Sequence, residues 1–169
     1  MIAERSRDST GFEEFARANQ RRLYRTAYLL CGDAESARDL TQTTLAKLFQ
    51  HWHRASAADH PAAYARTVLT RTYLAERRRR LRDFLAHSRV DAPPPVVGPE
   101  LTVTLLTALA ELPPRARAMV VLRYWEDLGV QTVAELLRCS ESTVKSQCSR
   151  SLATLRTRLG DRYLYTTRS

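Results

Sequence analysis

The chain of 169 residues carries 27 Lys and Arg against 18 Asp and Glu, a formal charge of +9 at pH 7. That length suits one medium domain or two small ones, and that charge suits a polyanion such as nucleic acid or an acidic membrane surface, with an arginine-rich solvated surface as the plain alternative. No apolar run approaches the roughly 20 residues that span a bilayer, residues 1–10 lack a secretory pattern, and Cys31, Cys139 and Cys148 fit neither a zinc motif nor a disulfide framework, so a reducing, cytoplasmic setting without membrane association is expected.

Thr10-x-x-Glu13 reads as a capping box that opens a first helix, with Phe12, Phe15, Leu23, Ala27 and Leu30 at roughly helical spacing. Gly32 should end it. Asp33 should cap a second helix carrying Ala37, Leu40, Thr44, Leu48 and Phe49 on one face. Residues 54–60 are small and polar and read as a loop. Pro61 then opens a third helix through Tyr64, Ala65, Val68, Leu69 and Thr72 towards Arg80. Pro93, Pro94, Pro95 and Pro99 cluster in a stretch that loses helical periodicity, as an extended spacer does. No strand is expected. The predicted fold is all-α: two small helical domains, residues 10–83 and 99–160, joined by a flexible Pro-rich linker at 84–98.

In the second domain Pro99 should open a helix bearing Leu105, Leu106, Leu109 and Leu112. Pro113 and Pro114 break it and start another, with Ala118, Val121, Leu122 and Trp125 turned inward. Residues 130–147 follow as two short helical patterns around a tight turn, the layout of a helix-turn-helix. Ala134 is small where the helices would cross. Val133, Leu136, Leu137 and Val144 supply the contacts between them. Ser140 is a natural N-cap for the second helix. Such a helix enters the major groove N-terminus first. Ser142, Thr143, Lys145, Ser146 and Gln147 are therefore candidates for base edges, and Arg150 and Arg123 for phosphates. The helix continues through Leu152, Leu155 and Leu159 to Gly160.

Two runs now carry a family resemblance. Residues 112–117 (LPPRAR) and 121–128 (VLRYWEDL), leading into Ala134-Glu135-Leu136-Leu137, Ser140 and Thr143-Val144-Lys145-Ser146, resemble region 4 of bacterial sigma factors. Residues 33–44 (DAESARDLTQTT) resemble region 2.2, and residues 61–64 (PAAY) through 72–80 (TYLAERRRR) resemble regions 2.3 to 2.4. The short linker without a third domain is similar to the extracytoplasmic-function (ECF) class, in wording closest to its actinobacterial subgroup, over residues 10–160.

The resemblance implies a non-enzymatic subunit of transcription initiation. It would bind core RNA polymerase and direct it to promoters, reading the minus-thirty-five element as duplex and melting the minus-ten element. On this implication Tyr64, Arg66, Arg71, Tyr73, Arg77 and Arg78 handle the minus-ten strand. Asp39, Leu40, Gln42 and Thr43 meet the clamp helices of the largest polymerase subunit, while the flap of the second-largest subunit is a further contact. An anti-sigma factor is a candidate partner. Four positions depart from the family pattern: Arg138 replaces the usual turn glycine, Gly129 a Ser-like cap, Thr43 an acidic residue, and Arg71 an asparagine.

Each site has a plainer reading beside it. Arginines 77–80, with Arg66 and Arg71, form either a phosphate track or a solvated helix end that favours the C-terminal dipole. Tyr64, Tyr73 and Trp52 are stacking platforms or core rings. Residues 55–60 either pocket a flipped base or merely connect. His51 and His53 lack companions for a metal. No catalytic set stands out, so neither an enzyme nor a cofactor is expected. Two other readings stay open at this point: a stand-alone helix-turn-helix regulator, and a helical protein-interaction adaptor.

Overall fold

The computed structural model describes the backbone of residues 2–87 and 100–160, with side chains from residues 9 and 104 onward in the two stretches. All regular structure among them is helical. The helices are α1 (Ile2–Cys31), α2 (Ala34–Gln50), α3 (Trp52–Ala57), α4 (Pro61–His87), α5 (Glu100–Ala110), α6 (Pro114–Val120), α7 (Val130–Leu137) and α8 (Glu141–Leu159). A π turn, Val121–Trp125, continues α6.

The first domain is α1 to α4. Gly32 ends α1 in a left-handed conformation (φ 84°), where a side chain would be strained. One residue later the Asp33 carboxylate accepts from the Ser36 N–H at 2.8 Å and starts α2. The apolar stripes foreseen on α1, α2 and α4 meet in one core of Leu23, Ala27, Leu30, Ala37, Leu40, Leu48, Ala65 and Leu69. In the second domain Pro114 occupies the first turn of α6, where its missing N–H costs nothing. Helices α7 and α8 pack through Val133, Ala134, Leu136, Leu137 and Val144, as the helix-turn-helix pattern requires.

Several boundaries differ from the sequence reading. Helix α1 already runs through Thr10, so no helix starts at the Thr10–Glu13 pair; Ser9 Oγ instead bonds Glu13 Oε1 at 3.3 Å along the helix. Most of the stretch expected to be a loop is the short helix α3, seated by buried Trp52 and Ala55. Helix α4 continues to His87 and so takes in residues 84–87 of the expected linker. Residues 88–98, the rest of that linker, and Pro99 lie outside the described residues.

Trp125 is half-exposed (50%) rather than inward. The π turn is the reason. Its N–H of Glu126 reaches back to the Val121 carbonyl at 3.0 Å, five residues away, so the inward phase carried by Ala118, Val121 and Leu122 skips past Trp125 to Glu126.

The turn between α7 and α8 holds Arg138 in the left-handed region (φ 55°, ψ 53°), where its N–H and that of Cys139 close off α7. A Cβ there is unfavourable by about 1 kcal/mol relative to glycine. Arg138→Gly should therefore raise the stability of the chain by roughly 0.5–1 kcal/mol. A shift of the urea midpoint to higher concentration at constant slope is the expected result; a shift to lower concentration would show that the arginine side chain contributes more than its backbone costs.

Candidate nucleic-acid interface and the contact between the domains

The candidate recognition surface is the N-terminal half of α8. Ser140 sits outside the helix (φ −76°, ψ 155°) and its hydroxyl accepts from the Thr143 N–H at 3.1 Å, as an N-cap does. Behind that cap Val144 and Cys148 turn into the core, fully and almost fully buried. Ser142, Thr143, Lys145, Ser146 and Arg150 are left exposed and Gln147 half-buried, so the six candidate residues share the face directed away from α7. Gln147 is tied to its helix neighbours, donating to Ser151 Oγ at 3.3 Å and accepting from Arg150 at 3.4 Å. Arg123 lies apart from them. Its guanidinium donates to the Leu128 carbonyl and lies 5.5 Å from the Tyr124 ring, so it braces the approach to α7.

The residues expected to hold the minus-ten strand are divided by the structure. Arg71 and Arg78 are exposed on α4, and Tyr64 packs half-buried against the first core. Tyr73 is a core residue, 1% exposed, and cannot stack on a base in this arrangement. The cause is its register: Ala65, Leu69 and Tyr73 follow at intervals of four and share the inward face of α4. Its hydroxyl is buried, and burial raises its pKa against the opposing charges of Arg117 and Arg77. Arg77 covers it, the guanidinium 5.5 Å from the ring centroid. Trp52 is likewise buried, edge-on to Phe12 and tilted against Phe15, which makes it a core ring.

On the expected polymerase face, Asp39 and Gln42 are exposed and Thr43 is half-buried. Leu40 is fully buried among α1, α2 and α4. It fixes the orientation of α2 and is not itself available to a partner. Nearby, the Lys47 ammonium donates to Thr72 Oγ1 at 3.1 Å and clips α2 to α4.

Arg66 belongs to neither surface as it stands. It donates to Glu126 Oε2 at 3.2 Å, from the first domain to the second. Arg22 reaches the same oxygen at 3.0 Å, and the Thr26 hydroxyl donates to Oε1. The Glu126 side chain is 3% exposed, so its charge is out of water and held by three donors of the other domain. A second buried charge ties the domains from the same side. The Arg117 guanidinium, on α6, donates to the Leu30 carbonyl at the end of α1 at 2.7 Å and to the Ala110 and Leu112 carbonyls of its own domain. Cations suit such helix ends, where unpaired carbonyls gather. Ala118 and Val121 complete the contact by entering the apolar core of the first domain. Beside it lies a cleft of about 1250 Å³ with Arg77, Arg78, Arg80, Phe84 and Arg115 on its walls. The basic end of α4 thus faces the second domain.

The sequence reading missed Arg22, Thr26, Glu126 and Arg117. Arg22, Glu126 and Arg117 look like ordinary surface charges, and only the π turn brings Glu126 inward. Cys31 sits at the rim of this contact; burial pushes its thiol up to about 12, which leaves almost no thiolate for redox chemistry at neutral pH. Among the described residues no cluster of His, Cys, Asp and Glu could hold a metal, and no helix is long and apolar enough to cross a membrane.

A capped recognition helix in one domain and an arginine-rich helix in the other define a two-domain DNA-binding protein. Residues 15–83 match the Sigma-70 region 2 model, and residues 102–155 match Sigma-70, region 4. The RNA polymerase sigma-E factor of Streptomyces coelicolor is 34% identical over 151 residues, 88% of this chain and 85% of that protein. The ECF RNA polymerase sigma factor SigM of Mycobacterium tuberculosis is 30% identical over 168 residues, 95% of this chain and 83% of that protein. In fold, the chain is similar to the sigma factor RpoE of Bartonella quintana, solved in complex with the anti-sigma factor NepR, with a TM-score of 0.77 at 22% identity over 88% of this chain and 96% of that one. The chain belongs to the sigma-70 family, as an actinobacterial-type ECF sigma factor, a non-enzymatic and promoter-directing subunit of RNA polymerase.

The contact between the domains has a direct consequence. Glu126→Gln removes the charge that two guanidiniums hold and keeps the side-chain shape. The free protein should then open, with a larger radius of gyration in small-angle scattering and unchanged helix content. Scattering identical to that of the wild type would show that Arg117 and the apolar contacts hold the domains together unaided.

Proposed function

We propose that the second domain reads the minus-thirty-five element as duplex through the exposed face of α8, while the first melts the minus-ten element and holds its non-template strand. The observation that carries this reading is the Ser140-capped N-terminus of α8, whose exposed residues are polar and whose apolar ones are spent on α7. Base edges fall to Ser142, Thr143, Lys145, Ser146 and Gln147, and backbone phosphate to Arg150. Arg71 and Arg78 form the phosphate track of the first domain, with Arg77 at its margin and Tyr64 as its aromatic edge. The exposed part of α2, Asp39, Gln42 and the rim of Thr43, is the surface for the clamp helices of the polymerase; the flap meets the second domain. The site of action is the cytoplasm.

Both promoter elements must be reached at once, so the contact through Glu126 and Arg117 opens when the chain joins polymerase. Run-off transcription with core polymerase, followed by mapping of start sites, tests the reading as a whole. Discrete starts preceded by two shared sequence elements are expected; starts no different from those of core polymerase alone would refute it.

The surfaces are separable. Lys145→Ala and Gln147→Ala should each cost about 1–3 kcal/mol at particular base pairs of the minus-thirty-five element. Arg150→Ala should weaken all promoters alike and flatten the salt dependence. Binding to a library of elements at two salt concentrations distinguishes them, and a uniform loss for Lys145→Ala and Gln147→Ala would remove those two from base reading. Asp39→Arg combined with Gln42→Ala should weaken binding to core polymerase with helicity unchanged, as followed by co-purification and circular dichroism. Undiminished co-purification would place the polymerase contact elsewhere.

A further inference from the structure

The partners of Glu126 are arranged as an anion site in their own right. Arg22 and Thr26 stand one helical turn apart on α1, and Arg66 comes from α4. Both guanidiniums meet Oε2, at 3.0 and 3.2 Å, and the Thr26 hydroxyl takes Oε1. Two cations and a hydroxyl on a pair of anionic oxygens serve a phosphate diester as well as a carboxylate. Among the described residues Glu126 is the one carboxylate in an ion pair with either arginine. It sits on the other domain, so when that domain leaves, the trio keeps two positive charges close together and loses its anion. Like charges so placed repel and favour a new anion. Two further observations give the trio a ligand from outside. The Arg22 side chain remains 64% exposed even with Glu126 in place, so solvent and solutes reach it. Arg66 has a buried Nε without a partner, a donor that Glu126 leaves unused. On the reading above, Arg66 shares with Arg71 and Arg78 the helix that follows the melted strand, those two lying on one face of α4 roughly a third of a turn round from it.

We propose that Arg22, Thr26 and Arg66 form a binding site for a backbone phosphate of the promoter, which Glu126 fills as an internal substitute while the domains are closed. This rests on the first domain being the strand-holding one, and it extends the DNA surface from α4 onto α1. It also gives Arg22 opposite effects in two states. In the free chain Arg22 helps hold the domains shut. In the polymerase-bound chain it helps hold DNA.

The test compares Glu126→Gln with the double variant Glu126→Gln, Arg22→Ala, each assembled with core polymerase, so that the closed state no longer contributes. Arg22 is exposed and its loss leaves the core intact. Promoter affinity is measured from 50 to 200 mM salt, with core affinity alongside. Loss of one phosphate contact lowers the slope of log affinity against log salt by about one, roughly a threefold to fourfold difference in affinity change across that range. The double variant should show that loss, with core affinity unchanged. Equal slopes and affinities in the two variants would overturn the proposal and leave the trio as a clasp between domains. Weaker core binding with an unchanged salt slope would overturn it in favour of a polymerase carboxylate as ligand. Run-off transcription by the wild-type holoenzyme keeps the broader reading separate: normal promoter-directed transcripts together with equal slopes refute only the phosphate site.

Discussion

A carboxylate removed from water is the constraint on which the arrangement of this chain depends. Burying an ion costs several kcal/mol even after relaxation, and it is sustained only where opposite charges and hydrogen bonds replace the lost hydration. Glu126 takes its side-chain partners Arg22, Thr26 and Arg66 from the other domain. Arg117 repeats the logic with the sign reversed, its guanidinium resting on carbonyl oxygens of both domains. Neither charge would be stable at these depths with its domain alone. The interface is therefore specific in register, because each buried charge takes partners from across it.

That contact bears on the two surfaces proposed for DNA. The exposed face of α8 is fixed locally by Ser140, Val144 and the turn at Arg138, so the proposed reading of duplex DNA asks for no rearrangement there. The first domain is in a different condition. Arg66 is engaged by Glu126, and Arg77, Arg78 and Arg80 face the cleft beside the second domain. Binding polymerase and separating the domains would free that surface. Only a partner with higher affinity for the open form can shift the equilibrium, and then by no more than its differential affinity.

Much of the fold was legible in the residues. Periodic apolar positions marked α1, α2, α4 and α8, and Gly32, Asp33, Pro61 and Ser140 marked their ends, as Pro114 marked the start of α6. These are local effects, set by backbone φ, caps and the inward phase of a 3.6-residue repeat, and they need no knowledge of what lies across the core. The roles implied by the family resemblance were less legible than the elements. Tyr73 and Leu40 were assigned to DNA and polymerase, but each follows its helix's buried stripe at intervals that a stricter reading of the period would have caught. Thr10–Glu13 has the spacing of a capping box, yet the same two residue types also occur within a continuous helix such as α1.

The sequence by itself determined that the chain is helical and divided in two, that it carries a capped recognition helix, and that its family is that of sigma factors, because these depend on short-range pattern and on residue identity. Only the tertiary structure decided that Trp125 faces outward and Glu126 inward, since a single π turn changes the phase of every residue after it and no local propensity marks that insertion. Only the tertiary structure, too, placed Arg22, Thr26 and Arg66 around one carboxylate. Those contacts span 104, 100 and 60 residues of chain, and a pairing across such distances is settled by how the helices pack rather than by any neighbour in sequence.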